Sequence, residues 1–142
     1  MAEIVADPDC LFCKIVAGEI PASVVYQDEH TIAFMDIGSV NPGHMLVAVK
    51  PHVEHVFGLD DALAAAAMRT TARVARALKA SIAPEGVNLF QANGAAAEQT
   101  VFHFHIHVLP RRVGDGMKLV WPVKNPPREE LEASAARIRA AL

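Results

Sequence analysis

Along the chain, apolar residues fall first into short alternating runs, then into one long run at helical spacing, then into alternation again. Residues 24–27 (VVYQ) and 31–36 (TIAFMD) read as two short strands joined by the polar turn Asp28-Glu29-His30. Asn41-Pro42-Gly43 is a turn, and HMLVAV at 44–49 follows it as a third strand. Asp60 or Asp61 can cap a helix running to about Ile82, where Pro84 and Gly86 end it. Within it Leu63, Ala67, Thr70, Val74, Leu78 and Ile82 recur at helical spacing and form one buried stripe. A further strand is expected over 87–91, a small-residue loop over 93–98, and the most regular strand over 101–109. Asn125-Pro126-Pro127 opens a last helix, on which Leu131, Ala135, Ile138 and Leu142 share a face. Strands surrounding one long helix and segregated from it predict an α+β domain with a largely antiparallel sheet.

Composition narrows this little. With 142 residues the chain has the size of one ordinary domain, 1–142, able to bury a core. Much of its apolar share is alanine, so that core rests on few large side chains. The longest purely apolar stretch, 62–68, is far short of the ~20 residues a membrane-spanning helix needs. The start, MAEIVADPDC, has no basic segment followed by an apolar one, so no leader and a cytoplasmic location are expected. A formal net charge of −3 argues against broad attraction to nucleic acid or an anionic membrane. A small phosphate-bearing ligand would have to be held by a local site.

The segment VFHFHIHVL supplies a candidate for that site. Successive strand side chains point to opposite faces, so Phe102, Phe104, Ile106 and Val108 should enter the core. His103, His105 and His107 would then line the other face, their origins about 7 Å apart. Such a row can be a metal site, since His-x-His on a strand is workable ligand spacing. It can also be a nucleophile with its helpers. Neutral imidazole is nucleophilic near pH 7, and a protonated neighbour could steady a phosphate oxygen. Just upstream, NGAAAEQT offers close-approaching backbone N–H groups and the side chains of Gln99 and Thr100 to an anion.

His103-Phe104-His105-Ile106-His107-Val108-Leu109 matches every position of a His-φ-His-φ-His-φ-φ pattern, where φ is apolar, and so resembles the histidine triad (HIT) superfamily. The resemblance runs from about 10 to 121, taking in CLFCKIVAGEIPASVVYQDEHTIAFMDI, NPGHMLVAVKPHVEH, and NGAAAEQTVFHFHIHVLPRR with GDG shortly after. It implies a five-stranded antiparallel sheet, one long helix and a C-terminal helix over about 126–142, with the sheet continued across a homodimer. It implies cleavage at the α-phosphate of purine nucleotide derivatives, nucleoside phosphoramidates first, through a nucleotidyl-histidine. His105 resembles the nucleophile, with His107, His103 and His44 completing the catalytic cluster. Asp36 resembles the carboxylate that binds ribose, and Phe12, Ile15, Phe34 and Ile37 the walls around the base. Asn93, Gln99 and Thr100 resemble the phosphate-side contacts. Two positions depart from the usual pattern: Ala92 stands for an asparagine, and Glu98 for a glycine just before the glutamine. Dinucleoside polyphosphate hydrolysis is the alternative within the enzyme class. A nucleotide sensor with weak catalysis, or a metal-dependent hydrolase using the histidine row, are alternatives outside it.

Cys10-x-x-Cys13 is a spacing shared by zinc sites and redox pairs. A redox pair usually opens a helix in a βαβ setting, which the pattern does not predict here. The resemblance implies structural zinc on Cys10, Cys13, His52 and His103, with His55 a rival for His52, and no catalytic metal.

Overall fold

The structure, a computed structural model, describes residues 4–142; Met1–Glu3, the first part of the segment expected to hold no leader, lie outside the described residues. In chain order the elements are α1 (Leu11–Val16), β1 (Val24–Gln27), β2 (Thr31–Met35), β3 (Met45–Val49), α2 (Asp61–Ser81), β4 (Gly86–Phe90), β5 (His105–Arg111) and α3 (Arg128–Arg139). The five strands form one antiparallel sheet in the order β1-β2-β3-β5-β4. The expected α+β class and five-stranded sheet are both present. Among the described residues no helix is long and apolar enough to cross a membrane.

Strand pairing sorts the sheet's two faces by residue parity. On one face Ala33, Met45, Val47 and Val108 pack against Val74 and Leu78 of α2, and Val49, Phe104 and Ile106 gather around Ala67. Asp60 caps α2 by accepting the Leu63 N–H at 2.8 Å. The buried stripe is wider than the spacing predicts. It includes Ala66 and Thr71, while Ile82 just beyond the helix is partly exposed. On the opposite face lie Ile32, Phe34, Leu46 and Ala48, closed over by Phe12 of α1. The register pairs Leu46 with His107 and Ala48 with His105, so both imidazoles share this second face.

Three sequence expectations need correction. The histidine strand begins at His105, not at 101, because residues 101–104 bend and Phe104 N–H donates to Val53 O at 2.6 Å. The two-residue alternation therefore fails upstream of His105, and Phe102 is exposed instead of entering the core. A helix missing from the sequence reading, α1, starts at Cys10, whose thiol accepts the Cys13 N–H at 3.4 Å. The cysteine pair thus does open a helix, with a loop and not a βαβ unit around it.

The turn before β3 has a glycine that its position requires. Gly43 has φ +94°, and a Cβ there would lie 2.7 Å from Leu78 Cδ1 and 2.8 Å from Ile82 Cδ1. Gly43→Ala should therefore destabilise the fold by about 2 kcal/mol or more, through backbone strain together with displacement of the α2 terminus. Chemical denaturation of the variant measures this; a loss under about 0.5 kcal/mol would contradict the packing described.

Candidate active site

Asp36, His44 and His107 converge on the second face because the end of β2 and the start of β3 meet there beside the middle of β5. Asp36 follows β2, His44 precedes β3, and Asp36 N–H donates to His44 O at 3.1 Å, locking the two ends together. Asn41 pins the intervening turn to β5, its amide donating to Pro110 O and to Asp115 Oδ2, each at 2.9 Å. Asp115 is held in turn by Arg111 Nε at 2.7 Å. This clip between the NPG turn and the GDG segment was not foreseen from either motif.

The hydrogen-bond partners assign each imidazole its tautomer. His105 Nδ1 lies 2.6 Å from the His103 carbonyl oxygen, which can only accept, so Nδ1 carries the proton and Nε2 keeps its lone pair. His44 Nδ1 accepts the Val40 N–H at 3.2 Å, so its proton sits on Nε2 and is donated to His107 Nδ1 at 3.0 Å. The remaining proton of His107 is then on Nε2. One ring presents a lone pair and its neighbour, with ring centroids 5.1 Å apart, presents an N–H.

Burial drives all of these rings toward the neutral form. Desolvation, then the adjacent His105 and His44, pushes His107 down to about 4, although Asp36 opposes the shift. Burial likewise lowers His44 and His105. The expectation of a protonated helper beside the nucleophile is thereby corrected: His107 can donate to a phosphate oxygen as a neutral Nε2–H. The same shifts bear on stability. His44 and His107 bind fewer protons folded than unfolded, so stability is full above about pH 6.5 and falls as pH drops below it. Thermal unfolding from pH 7.5 down to 5 should show a falling Tm; a Tm that is flat or rising would overturn the burial argument.

His105 and His107 open into a hollow of about 410 Å³ whose apolar wall includes Phe12, Ile15, Phe34 and Ile37. Phe12 stacks edge-on to His105 with centroids 5.0 Å apart, and Ile37 is fully exposed at the rim. Asp36 borders the same hollow. Its Oδ1 accepts the Gly38 N–H at 2.8 Å, and its Oδ2 lies 3.4 Å from His44 Nε2 and 3.7 Å from His107 Nδ1. Thr100 also lines it. Gln99 and Asn93 are placed differently from expectation. The Gln99 side chain is buried in its own loop, with Oε1 accepting Gly94 N–H and Nε2 donating to the carbonyls of Glu54 and Val101. Asn93 accepts the Val56 N–H. Both side chains shape the loop.

His103 parts company with the other two. It is fully buried, its Nε2 donates to Val49 O at 2.6 Å, and its Nδ1 lone pair faces Cys10 Sγ at 3.3 Å and Cys13 Sγ at 3.6 Å. Cys13 Sγ also lies 3.4 Å from His52 Nδ1, while His52 Nε2 is 3.7 Å from the Asp7 carboxylate. An ion with Zn–S near 2.3 Å and Zn–N near 2.0 Å in a tetrahedron needs S···N edges of about 3.5 Å. Three of the four S···N edges, at 3.3, 3.4 and 3.6 Å, fit that figure, and all four donors lie within 4.8 Å of one another, with a backbone carbonyl and a carboxylate orienting the two imidazoles. His55 stands apart from this cluster. Asp36, His44 and His107 also lie close enough for a metal, but their donors are committed to one another. A cation there would displace the His44 Nε2 proton and leave the Val40 N–H without its acceptor.

The family model described as HIT domain matches residues 17–114. The protein hit of Bacillus subtilis is 46% identical over 114 residues, covering 80% of this chain and 79% of that one. The adenosine 5'-monophosphoramidase hnt1 of Schizosaccharomyces pombe is 34% identical over 134 residues, 94% of this chain and 98% of its own length. Among solved structures, a HIT family member from Bacillus subtilis superposes with a TM-score of 0.89 at 41% identity, covering 94% of this chain and 97% of that one. A zinc-bound histidine triad family protein from Mycobacterium smegmatis matches at 0.72 and 36%, covering 94% and 98%.

Proposed function

The chain belongs to the HIT family, and on that premise we propose that it hydrolyses purine nucleotide derivatives at the α-phosphate, nucleoside phosphoramidates first, through a covalent intermediate on His105. The observation that carries this reading is the His105 Nε2 lone pair, fixed by the His103 carbonyl and bordering a hollow that combines apolar walls with a carboxylate. The base packs among Phe12, Ile15, Phe34 and Ile37, and Asp36 accepts from the ribose hydroxyls. His105 Nε2 attacks phosphorus and the bond to the leaving nitrogen breaks as that nitrogen gains a proton. The neutral His107 Nε2–H and Thr100 donate to the phosphate oxygens as charge grows on them. Water then attacks the nucleotidyl-histidine, loses a proton in balance, and frees His105 and the nucleoside monophosphate.

A turnover panel tests the reading: adenosine 5'-phosphoramidate, adenylyl sulfate and diadenosine polyphosphates. The phosphoramidate should be the best substrate. Preference for a dinucleoside polyphosphate would move the assignment to that branch, and nucleotide binding without turnover of any compound would leave a sensor. Because burial holds His107 neutral down to about 4 and lowers both His44 and His105 from their ordinary range, any acid limb in kcat/KM should be centred below pH 6.5. An acid limb centred near 6.5 would contradict the site described.

Zinc on Cys10, Cys13, His52 and His103 is proposed as structural, clamping α1 to the segment entering β5; no step uses it. A homodimer continuing the sheet is proposed on the open edge of β4, where Val87 and Leu89 are exposed. The whole chain is proposed as one HIT domain. On α3 the helix was foreseen, but none of its residues is buried, and Leu131, Ile138 and Leu142 are exposed. Light scattering of the purified chain distinguishes dimer from monomer.

A further inference from the structure

We infer that Glu98 reads the charge of the leaving group, selecting those that carry an ammonium over those that carry phosphate or sulfate; this rests on the hydrolase reading above. A second hollow, of about 380 Å³, lies against His44 and His107 and is bordered by Ala92, Glu98, Met117 and Leu119. His107 borders both hollows, whereas His105 borders only the nucleoside one. An in-line displacement expels its leaving group on the side of phosphorus opposite the attacking Nε2. The second hollow is bordered by His107 and not by His105, and the leaving group is assigned there.

Its charge is one-sided. Among the described residues that line it, Glu98 is the one with a formal charge, since His44 and His107 are held neutral. No lysine or arginine lines either hollow. A pyrophosphate or sulfate leaving group would meet an anion there with no cation to balance it. An alkylammonium would meet its counter-ion. The absence of a longer polar side chain at Ala92 leaves room for such a group between the loop and β4.

The backbone supports a purpose for this side chain. Glu98 ends the short turn Ala95–Ala97 in the left-handed region, at φ 64° and ψ 28°, its N–H donating to Ala95 O. Residues with a Cβ rarely adopt that conformation, and a glycine would occupy it without strain.

The test compares two near-isosteric substrates, the adenosine 5'-phosphoramidates of 1,4-diaminobutane and of n-pentylamine. They differ in one terminal charge. The wild-type protein should favour the diaminobutane compound in kcat/KM by about tenfold, the effect of one partly screened charge pair. That preference should shrink as salt rises from 20 to 500 mM. In Glu98→Gln, which keeps the shape and loses the charge, the ratio should collapse toward one, and diadenosine tetraphosphate should gain relative to both amides. A ratio unchanged by Glu98→Gln, or already near one in the wild-type protein at low salt, overturns the inference while leaving the hydrolase reading intact. Failure of the wild-type protein to turn over either amide, or any other compound of the panel, removes the hydrolase reading itself. Circular dichroism of Glu98→Gln confirms that the ratio is read on a folded protein.

Discussion

His105→Asn is expected to lower kcat on adenosine 5'-phosphoramidate by roughly 10⁴-fold or more, the scale seen when a covalent nucleophile is removed from an otherwise intact site. Asparagine suits the test because its amide N–H can still donate to the His103 carbonyl, the contact that sets the ring's position. Around it, Phe12 and the pairing with Ala48 hold the strand, so the fold and the hollow should persist. Binding of adenosine monophosphate, measured by calorimetry, should change by less than about fivefold, since Asp36 and the apolar walls are untouched. Rapid acid quench of the wild-type protein during turnover should trap a nucleotidyl adduct, and mass spectrometry should locate it on His105. Near-wild-type turnover by the variant, or an adduct on another histidine, would sink the nucleophile assignment. The same substitution at His103 should act differently, on stability, if His103 holds the proposed zinc.

The joint replacement Cys10→Ser with Cys13→Ser is expected to have the largest effect on stability, about 3 kcal/mol or more and a Tm lower by about 10 °C. The physical reason lies in what surrounds the donors. His103 is fully buried with its Nδ1 lone pair aimed at both sulfurs, and Cys13 is buried against His52. Serine hydroxyls can still donate to those lone pairs but are poor zinc ligands, so the double variant loses the cation proposed among the four donors and, with it, the clamp between α1 and the segment entering β5. Removing zinc from the wild-type protein with a strong chelator should lower Tm by a similar amount. Turnover per folded molecule should change far less than stability, since His105, His107 and Asp36 do not belong to the cluster. Elemental analysis showing no zinc, together with an unchanged Tm for the double variant, would refute the structural-zinc proposal. A rate that vanished while Tm held would point to a catalytic metal.

How much of this was legible beforehand varies by residue. The long helix, its Asp60 cap and the strands of the sheet follow from periods of 3.6 and 2 that any fold must respect. The C-terminal helix was equally plain, with Pro127 preceding it. The pairing of Cys10 and Cys13 with His52 and His103 came from resemblance, since no local pattern links residues 39 to 93 positions apart. The row of three histidines was visible, yet its division was not. Alternation puts all three on one face only if the strand is regular, and the bend at 101–104 turns His103 into the interior.

The sequence alone therefore determined which residue types were present for nucleophilic attack and metal binding, and on which kind of element each sits, because side-chain period is a local property. Only the tertiary structure decided which nitrogen of each imidazole is free. That depends on the His103 and Val49 carbonyls and the Val40 N–H, backbone groups whose position no side-chain pattern encodes. It also decided that the rings are neutral, because desolvation is a sum over everything packed around them.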